Sequence, residues 1–192
     1  MKTIKIASIL LLLFSFSLMA QEEQHQMSPE QKAWMEYMTP GEEQLELAKT
    51  VGDWTYESKF WMSPDQKEPM VTNGTAKFES ILGGRYISSE MKGMMMNSTF
   101  EGRGLDGFDN ARKIYVSTWV DNMGTGIMYM EGTKEDGKLV YNGTSVNPVT
   151  KASEKMKTVI TTIDDDHFKM EMFMVTDNGD FKSMEINYTR VK

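Results

Sequence analysis

The sequence contains no cysteine and only two histidines, His25 and His167. Without cysteine the chain cannot form a disulfide, a thiolate metal site or a lipid-modified cysteine, and it has no nucleophilic thiol. Two histidines far apart in the sequence do not supply a zinc ligand set. The chain also lacks a Gly-x-Ser-x-Gly motif and a phosphate-binding glycine loop ending in Lys-Ser or Lys-Thr. We therefore predict no metal and no cofactor, and no motif indicates a catalytic residue.

Basic residues are scarce relative to acidic ones. The chain has 21 Lys and Arg against 28 Asp and Glu, and its formal net charge is −7. A protein of this charge repels polyphosphate, so we predict no nucleic-acid partner. Solubility is the simplest explanation for the acidic excess.

The sequence has a single long apolar run, from Ile6 to Leu18. The run follows Lys2 and Lys5, is short for a membrane span, and ends near the small residue Ala20. This arrangement predicts a signal peptide over residues 1–20. We therefore expect an exported protein, periplasmic or secreted, with no membrane span in its mature chain. An uncleaved membrane anchor is the alternative.

Residues 51–192 are composed of short alternating stretches that end at Gly, Asn or Asp turns. Trp54, Tyr56 and Ser58, for example, share one face of the first stretch. About ten such strands are joined by hairpin-length connections, except around Pro148. The pattern predicts an all-β fold, an antiparallel up-and-down β-barrel. Closure of the barrel removes the two edges that an open sheet of this length would expose.

Two short helices are predicted over residues 28–50, after a polar leader at 21–27 that we expect to be flexible. The first starts at Ser28-Pro29-Glu30, because Ser can cap a helix and Pro suits its first position. Thr39-Pro40-Gly41 ends that helix, and the second follows at once. Neither is long enough to be stable alone, so we expect both to pack on a mouth of the barrel.

The two ends of the predicted barrel carry a recognisable pair of residues. Gly52-Asp53-Trp54 opens the first strand, and Tyr188-Thr189-Arg190 closes the last. In a closed barrel these strands are neighbours, so the Arg190 guanidinium can lie over the Trp54 indole in a cation–π contact. This pair resembles the structural signature of the calycin superfamily, which includes lipocalins and fatty-acid-binding proteins. We interpret Trp54 and Arg190 as structural residues that close the barrel.

Nine short motifs are spread over most of the chain: Thr39–Glu43, Val51–Trp54, Leu82–Arg85, Phe100–Gly102, Gly107–Asn110, Ser117–Asp121, Met123–Gly126, Pro148–Thr150 and Glu185–Arg190. In order and spacing they resemble a bacterial family known as domain of unknown function 1579. The resemblance implies a single β-rich domain and brings no established activity, cofactor or catalytic residue. One position departs from the family, since Gln44 stands where members often have a histidine. Any role of that imidazole is therefore absent here.

Polar residues recur at strand positions that could face the barrel interior. Carboxylates and arginines in a lumen would orient the polar end of a ligand, or act as acid and base. Trp119 and Asp121 are the strongest candidates, because they share one face beside a glycine-rich turn, and Arg85 is comparable, because it follows Gly83-Gly84 at the start of a strand. A place on the solvent face is the alternative for each residue. The candidate ligand-binding residues are Arg85, Glu90, Glu101, Trp119, Asp121 and Glu131, and the same pattern includes Arg103, Glu171 and Glu185.

Methionine is abundant, at 19 residues. Met91, Met94, Met95 and Met96 are close together in the sequence, and a cluster of thioethers can bind Cu(I). Methionines also occur along many of the other predicted strands. We therefore interpret them as adaptable core residues.

The predicted function is binding of a small amphipathic or hydrophobic molecule in the barrel lumen. An acid/base hydrolase or isomerase that uses Asp121, Glu90 and Glu131 is the first alternative. It would be favoured by two carboxylates within about 5–10 Å of each other around an open pocket. The second alternative is a structural or protein-binding role in the envelope, which a filled barrel beside an exposed apolar patch would favour. The sequence predicts neither the ligand nor the oligomeric state.

Overall fold

The computed structural model describes residues 27–192. It contains two helices, α1 Pro29–Met38 and α2 Glu42–Ala48, followed by ten strands. The predicted signal peptide lies outside the described residues, as does all of the predicted leader except Met27. The strands are β1 Gly52–Phe60, β2 Met70–Ile81, β3 Tyr86–Met95, β4 Ser98–Asp109, β5 Ile114–Asp121, β6 Met128–Glu135, β7 Lys138–Val146, β8 Ser153–Thr162, β9 His167–Thr176 and β10 Gly179–Arg190.

The ten strands form one closed antiparallel barrel in which each strand pairs with its sequence neighbours. β1 also pairs with β10, with Trp54 opposite Arg190 and Phe60 opposite Met184. Pairing of the first strand with the last leaves the sheet without a free edge. The predicted up-and-down barrel of about ten strands, preceded by two short helices, is confirmed.

Side chains on each strand alternate between the barrel interior and solvent. In β1 the buried Trp54, Tyr56 and Ser58 alternate with the exposed Thr55 and Glu57. The alternation follows from strand geometry, since successive side chains point to opposite faces. Every residue on the inner face of a strand therefore contributes either to the core or to a lumen.

α1 begins where its sequence signal predicts. The Ser28 hydroxyl accepts a hydrogen bond from the Gln31 backbone N–H at 3.1 Å, and the Gln31 side-chain oxygen accepts one from the Ser28 N–H at 2.8 Å. This reciprocal pair is a capping box, and Pro29 occupies the first helical position. α1 has no buried residue.

α2 closes one end of the barrel. It buries Gln44 and Leu47, and Leu47 belongs to a core cluster that includes Tyr115 and Tyr141. The Gln44 side-chain amide donates to the Phe108 carbonyl, near the turn between β4 and β5, at 3.1 Å. Within residues 27–192, no helix has the length and hydrophobicity needed to cross a membrane.

Candidate functional site

A cavity of about 270 Å³ lies inside the barrel. Each of the ten strands contributes to its wall. The cavity reaches the surface at the end of the barrel opposite α2, where Met94 and Met123 are 52% and 47% exposed. We call this end the mouth. Phe60, Met95 and Asp121 lie beside it.

Methionine and aromatic side chains form most of the cavity wall. Phe168 and Tyr188 are stacked with ring centroids 4.2 Å apart, and Phe78 meets both rings edge-on. Thioether side chains adapt to irregular shapes, so this wall suits an apolar occupant without demanding one outline. The methionines of the wall are Met91, Met94, Met95, Met123, Met128, Met130, Met170, Met172 and Met184, and the other aromatic residues are Tyr56, Phe60, Phe100, Trp119 and Tyr141.

Trp119 lies against a glycine strip of β4. A Cβ at Gly102 would overlap the indole, and one at Gly104 would lie 3.2 Å from it, so glycine at these positions makes room for the ring. The Trp119 indole N–H donates to Asp121 Oδ2 at 2.8 Å, and the Met123 backbone N–H donates to Asp121 Oδ1 at 2.9 Å. The Asp121 carboxylate therefore holds Trp119 in place near the mouth.

Asp106 lies deeper in the lumen than Asp121. Across the β4–β5 pair, Asp121 is opposite Gly102, whereas Asp106 is opposite Ser117. Gly102, which marks the level of Asp121, and Asp106 are four positions apart on β4, a distance of about 13 Å along the strand. Burial raises the pKa of Asp106 to about 6, and a hydrogen bond from the Ser117 hydroxyl acts in the opposite direction. Part of the Asp106 surface remains accessible from the lumen.

Buried hydroxyl groups also line the cavity, on Ser58, Ser89 and Thr158. Ser58 is 1% exposed, and its Oγ has no hydrogen-bond partner among the described residues. The Thr158 hydroxyl donates to Met130 Sδ at 3.6 Å. A buried hydroxyl without a partner costs free energy, and one that faces a lumen is available to a ligand.

Tyr141 and Tyr188 lie close enough to Asp106 for its charge to affect the ionisation of their phenols. Burial raises the pKa of both phenols, and the charge of Asp106 contributes to the rise in each. The Tyr188 hydroxyl donates to Met91 Sδ at 3.4 Å. Both tyrosines are therefore neutral at physiological pH, and Asp106 is the deep group with a pKa near neutrality.

No Lys, Arg or His belongs to the part of the cavity wall that residues 27–192 form. Basic side chains of the strands lie outside the lumen, and several pair there with acidic ones. Lys92 lies 2.5 Å from Glu90, and Lys182 lies 2.6 Å from Glu185. The lumen therefore has carboxylates and no positive side chain to balance them.

The structure divides the predicted binding residues into two groups. Trp119 and Asp121 line the cavity. Glu90, Glu101 and Glu131 lie outside it, because the strand positions next to them face inward. The expectation that these three glutamates face the lumen is therefore contradicted, and so is the same expectation for Arg103, Glu171 and Glu185.

Arg85 also lies outside the cavity, at the end of the barrel that α2 covers. Its Nη1 donates to the Leu82 carbonyl at 3.0 Å, and its Nη2 donates to the Met38 carbonyl at 2.6 Å. It joins the turn between β2 and β3 to the last residue of α1. The contacts of Arg85 are structural, contrary to the sequence prediction of a lumen position.

Asp106 and Ser117 were not predicted from the sequence, although a signal for them exists. Phe100 is buried, and counting along β4 in steps of two from Phe100 reaches Asp106. The same count from Trp119 reaches Ser117 on β5. The more conspicuous charge of Glu101 lies on the opposite face. Strand parity, rather than charge, identifies the polar residues of the lumen.

Trp54 and Arg190 meet at the end of the barrel that α2 covers, and neither lines the cavity. The Arg190 guanidinium carbon lies 4.1 Å from the Trp54 ring centroid. Arg190 Nη1 donates to the Val51 carbonyl at 2.7 Å, and Nη2 donates to the Lys49 carbonyl at 2.7 Å. The Trp54 indole N–H donates to the Thr50 carbonyl at 2.8 Å. The N–H groups of both side chains therefore donate to backbone carbonyls.

The structure also locates the methionine cluster. Met91, Met94 and Met95 contribute to the cavity wall, whereas Met96 is 60% exposed in the turn after β3. Among residues 27–192, no group of three or more His, Cys, Asp or Glu side chains is arranged to hold a metal ion.

Comparisons with known proteins agree with the fold. The model of a family described as "Protein of unknown function (DUF1579)" matches residues 39–190. The crystal structure of Rv2717c from M. tuberculosis aligns with a TM-score of 0.54 and 11% identity, over 80% of this chain and 100% of that one. The structure of the S-type phycobiliprotein lyase CPES from Guillardia theta aligns with a TM-score of 0.55 and 14% identity, over 83% of this chain and 97% of that one. No curated protein matches the sequence.

Proposed function

The chain belongs to the DUF1579 family of proteins of unknown function, and we propose that it binds a small, largely apolar molecule inside its barrel. The observation that carries the proposal is the cavity of about 270 Å³ that opens at the mouth. Protein interiors are normally packed as densely as organic crystals, so a space of this size inside a closed barrel calls for an occupant.

The chemistry of the wall supports an apolar ligand with a small polar part. Methionine and aromatic side chains provide most of the surface, whereas Ser58, Ser89 and Asp106 are among the few polar groups. Ligand sites commonly combine a mainly apolar wall with a small number of polar groups that fix orientation. The unpartnered Ser58 hydroxyl is one group that a ligand would satisfy.

The alternative functions have weaker support. Glu90 and Glu131, proposed for acid/base chemistry, lie outside the lumen. The two carboxylates that do line it, Asp106 and Asp121, lie at backbone positions about 13 Å apart along the barrel wall, and the Asp121 carboxylate accepts hydrogen bonds from Trp119 and the Met123 N–H, so the two do not form a pair at one level of the lumen. A purely structural barrel would be expected to have a filled interior, and this barrel contains a cavity.

The proposal is tested by titration with N-phenyl-1-naphthylamine, a neutral apolar dye whose fluorescence rises in an apolar environment. Thr72 faces the lumen near the mouth, and Thr75 lies on the solvent side of the same strand. We expect saturable binding of one dye per chain in the wild type and in Thr75→Trp. Thr72→Trp should weaken binding at least tenfold, because its indole occupies the mouth.

Two results would count against the proposal. If the wild type does not bind the dye saturably, the lumen is not a site for small apolar molecules. If Thr72→Trp binds as tightly as Thr75→Trp, the dye occupies another surface. Circular dichroism of both variants distinguishes a blocked lumen from a damaged barrel.

A further inference from the structure

We infer that the ligand carries a positively charged group, an organic amine or ammonium, that binds against Asp106 deep in the lumen. This inference rests on the proposed function and adds the chemical class of the ligand. It depends on three features of the described residues: the sign of the charges in the cavity wall, the absence of a basic partner for Asp106, and the aromatic rings around it.

The charged side chains that residues 27–192 contribute to the cavity wall are all acidic. The wall includes Asp106 and Asp121, and residues 27–192 contribute no basic side chain to it. A negatively charged ligand would be repelled by both carboxylates and would find no positive side chain in the wall. A neutral ligand would leave the Asp106 charge buried without compensation, which is costly in a poorly solvated environment. A cation removes that cost.

Asp106 differs from the carboxylates of the outer face in having no basic partner. Glu90, Glu131, Glu171 and Glu185 each lie within ion-pair distance of a Lys or Arg. Asp106 takes part in none of the ion pairs formed among the described residues. The second lumen carboxylate, Asp121, is already engaged by Trp119 and the Met123 N–H. Asp106 is therefore the acidic group with the capacity to receive a ligand cation.

The surroundings of Asp106 suit an ammonium group. Tyr141 and Tyr188 are close enough for the Asp106 charge to affect their phenols. Aromatic faces attract cations, and the attraction grows when the cation is desolvated. The Ser58 hydroxyl, without a partner among the described residues, provides another acceptor in the same lumen. An amine with an apolar tail would match both the deep polar group and the methionine-rich wall.

The inference also predicts that binding depends on pH. The ionisable groups facing the cavity are Asp106, Asp121, Tyr56, Tyr141 and Tyr188. Burial raises the pKa of the three tyrosines, so they remain neutral between about pH 5 and pH 8. Asp106, with a pKa of about 6, is largely ionised at about pH 8 and largely protonated at about pH 5. An amine should therefore bind more tightly at about pH 8 than at about pH 5.

The experiment compares three ligands that share one tail and differ in charge: octylamine, octanol and octanoate. Each displaces N-phenyl-1-naphthylamine from the full-length protein. In the wild type at about pH 8 we expect octylamine to displace the dye at a concentration at least tenfold lower than octanol, with octanoate weakest. Asp106→Asn should reduce the preference for octylamine over octanol at least tenfold. Glu90→Gln, on the outer face, should leave the preference unchanged.

The outcomes separate this inference from the proposed function. If octanol and octylamine displace the dye equally well, or if Asp106→Asn keeps the preference, the lumen binds apolar molecules but the cation assignment is wrong. If octylamine is preferred over octanol equally at about pH 5 and at about pH 8, the cation assignment is also overturned. If the dye does not enter the lumen, the proposed function is wrong, and the inference that rests on it is overturned with it.

Discussion

Asp106 shows how one residue can carry a cost in stability. Its carboxyl has a pKa of about 6 in the folded barrel against a reference value of 3.8. Between these values the folded protein binds more protons than the unfolded chain. The free energy of unfolding therefore falls as pH rises from about 4 to about 6, and the loss persists at higher pH. A shift of this size corresponds to about 3 kcal/mol.

We therefore predict that Asp106→Asn stabilises the protein at about pH 8 by about 2–3 kcal/mol and has little effect at about pH 4. Urea denaturation at the two pH values measures the difference. Asp177→Asn, at an exposed turn, is the matched control and should change stability by less than about 0.5 kcal/mol at either pH. Equal effects of Asp106→Asn at both pH values would show that its charge is not destabilising.

At the residue scale, the sequence predicted two residues of the cavity wall and missed Asp106. Trp119 and Asp121 lie two residues apart on one strand face, and the structure places both at the cavity. Glu90 and Glu131 carry conspicuous charges, but each is one position away from an inward-facing residue. Asp106 is preceded by glycines on its own face, so no apolar alternation marks that face as internal. The remaining sequence signal is strand parity, counted in steps of two from Phe100.

At the scale of elements, the junction between α1, α2 and the barrel explains several of the family motifs. The Asn110 side-chain amide donates to the Glu36, Tyr37 and Thr39 carbonyls at 3.1, 3.2 and 2.8 Å. These contacts satisfy carbonyl groups at the end of α1 that have no partner within the helix. Gln44 donates to Asn110 Oδ1 at 3.1 Å, so the residue that stands in place of the family's histidine has a structural role here.

We predict that Asn110→Ala releases α1 from the barrel while the ten strands stay folded. The expected loss in unfolding free energy is about 1–3 kcal/mol, because several carbonyl groups lose their donor together. Limited proteolysis should then cut around Thr39–Gly41 at least tenfold faster. Asn142→Ala, at an exposed position of β7, is the control and should not change the cleavage rate. Unchanged cleavage in Asn110→Ala would mean that other contacts hold the helix.

The bounds of the helices were more predictable than their packing. Ser28 and Pro29 signal the start of α1 locally, and the structure has the helix where the signal predicts it. The same local pattern contains nothing that distinguishes the two helices, although α2 buries Leu47 and α1 buries no residue. Which helix closes the barrel depends on contacts with distant strands, such as that between Glu43 and the Tyr115 hydroxyl.

At the scale of the whole molecule, the sequence predicted a closed barrel because alternation and turn residues are periodic and local. It did not predict whether the barrel is filled, because that depends on the summed volume of inward side chains from all ten strands. Small residues such as Ser58, Ser89 and Gly104 lie on the inner face and leave its space unfilled. The resulting space is visible only when the register of every strand is known.

Arg190 lies at the seam between β1 and β10 and joins parts of the chain that are distant in sequence. It contacts the Lys49 carbonyl after α2, the Val51 carbonyl before β1, and the Asp165 carbonyl between β8 and β9. Gly52 has a positive φ of 139°, and a Cβ there would lie 2.6 Å from Arg190 Nη1. The chain therefore uses glycine where the arginine passes closest to the backbone.

We predict that Arg190→Ala lowers the unfolding free energy by about 2–4 kcal/mol, since charge-assisted hydrogen bonds and the contact with Trp54 are lost together. Hydrogen exchange should accelerate first in β1 and β10, because these strands form the seam that the arginine covers. Arg190→Lys should recover less than half of the loss, because an ammonium lacks the planar fork that reaches several carbonyls. Arg103→Ala removes an arginine from the outer face and should cost less than about 1 kcal/mol. In Arg190→Ala, amide hydrogen exchange that accelerates equally in all ten strands would contradict this prediction. The seam between β1 and β10 would then open no more readily than the rest of the sheet, and closure would not depend on Arg190.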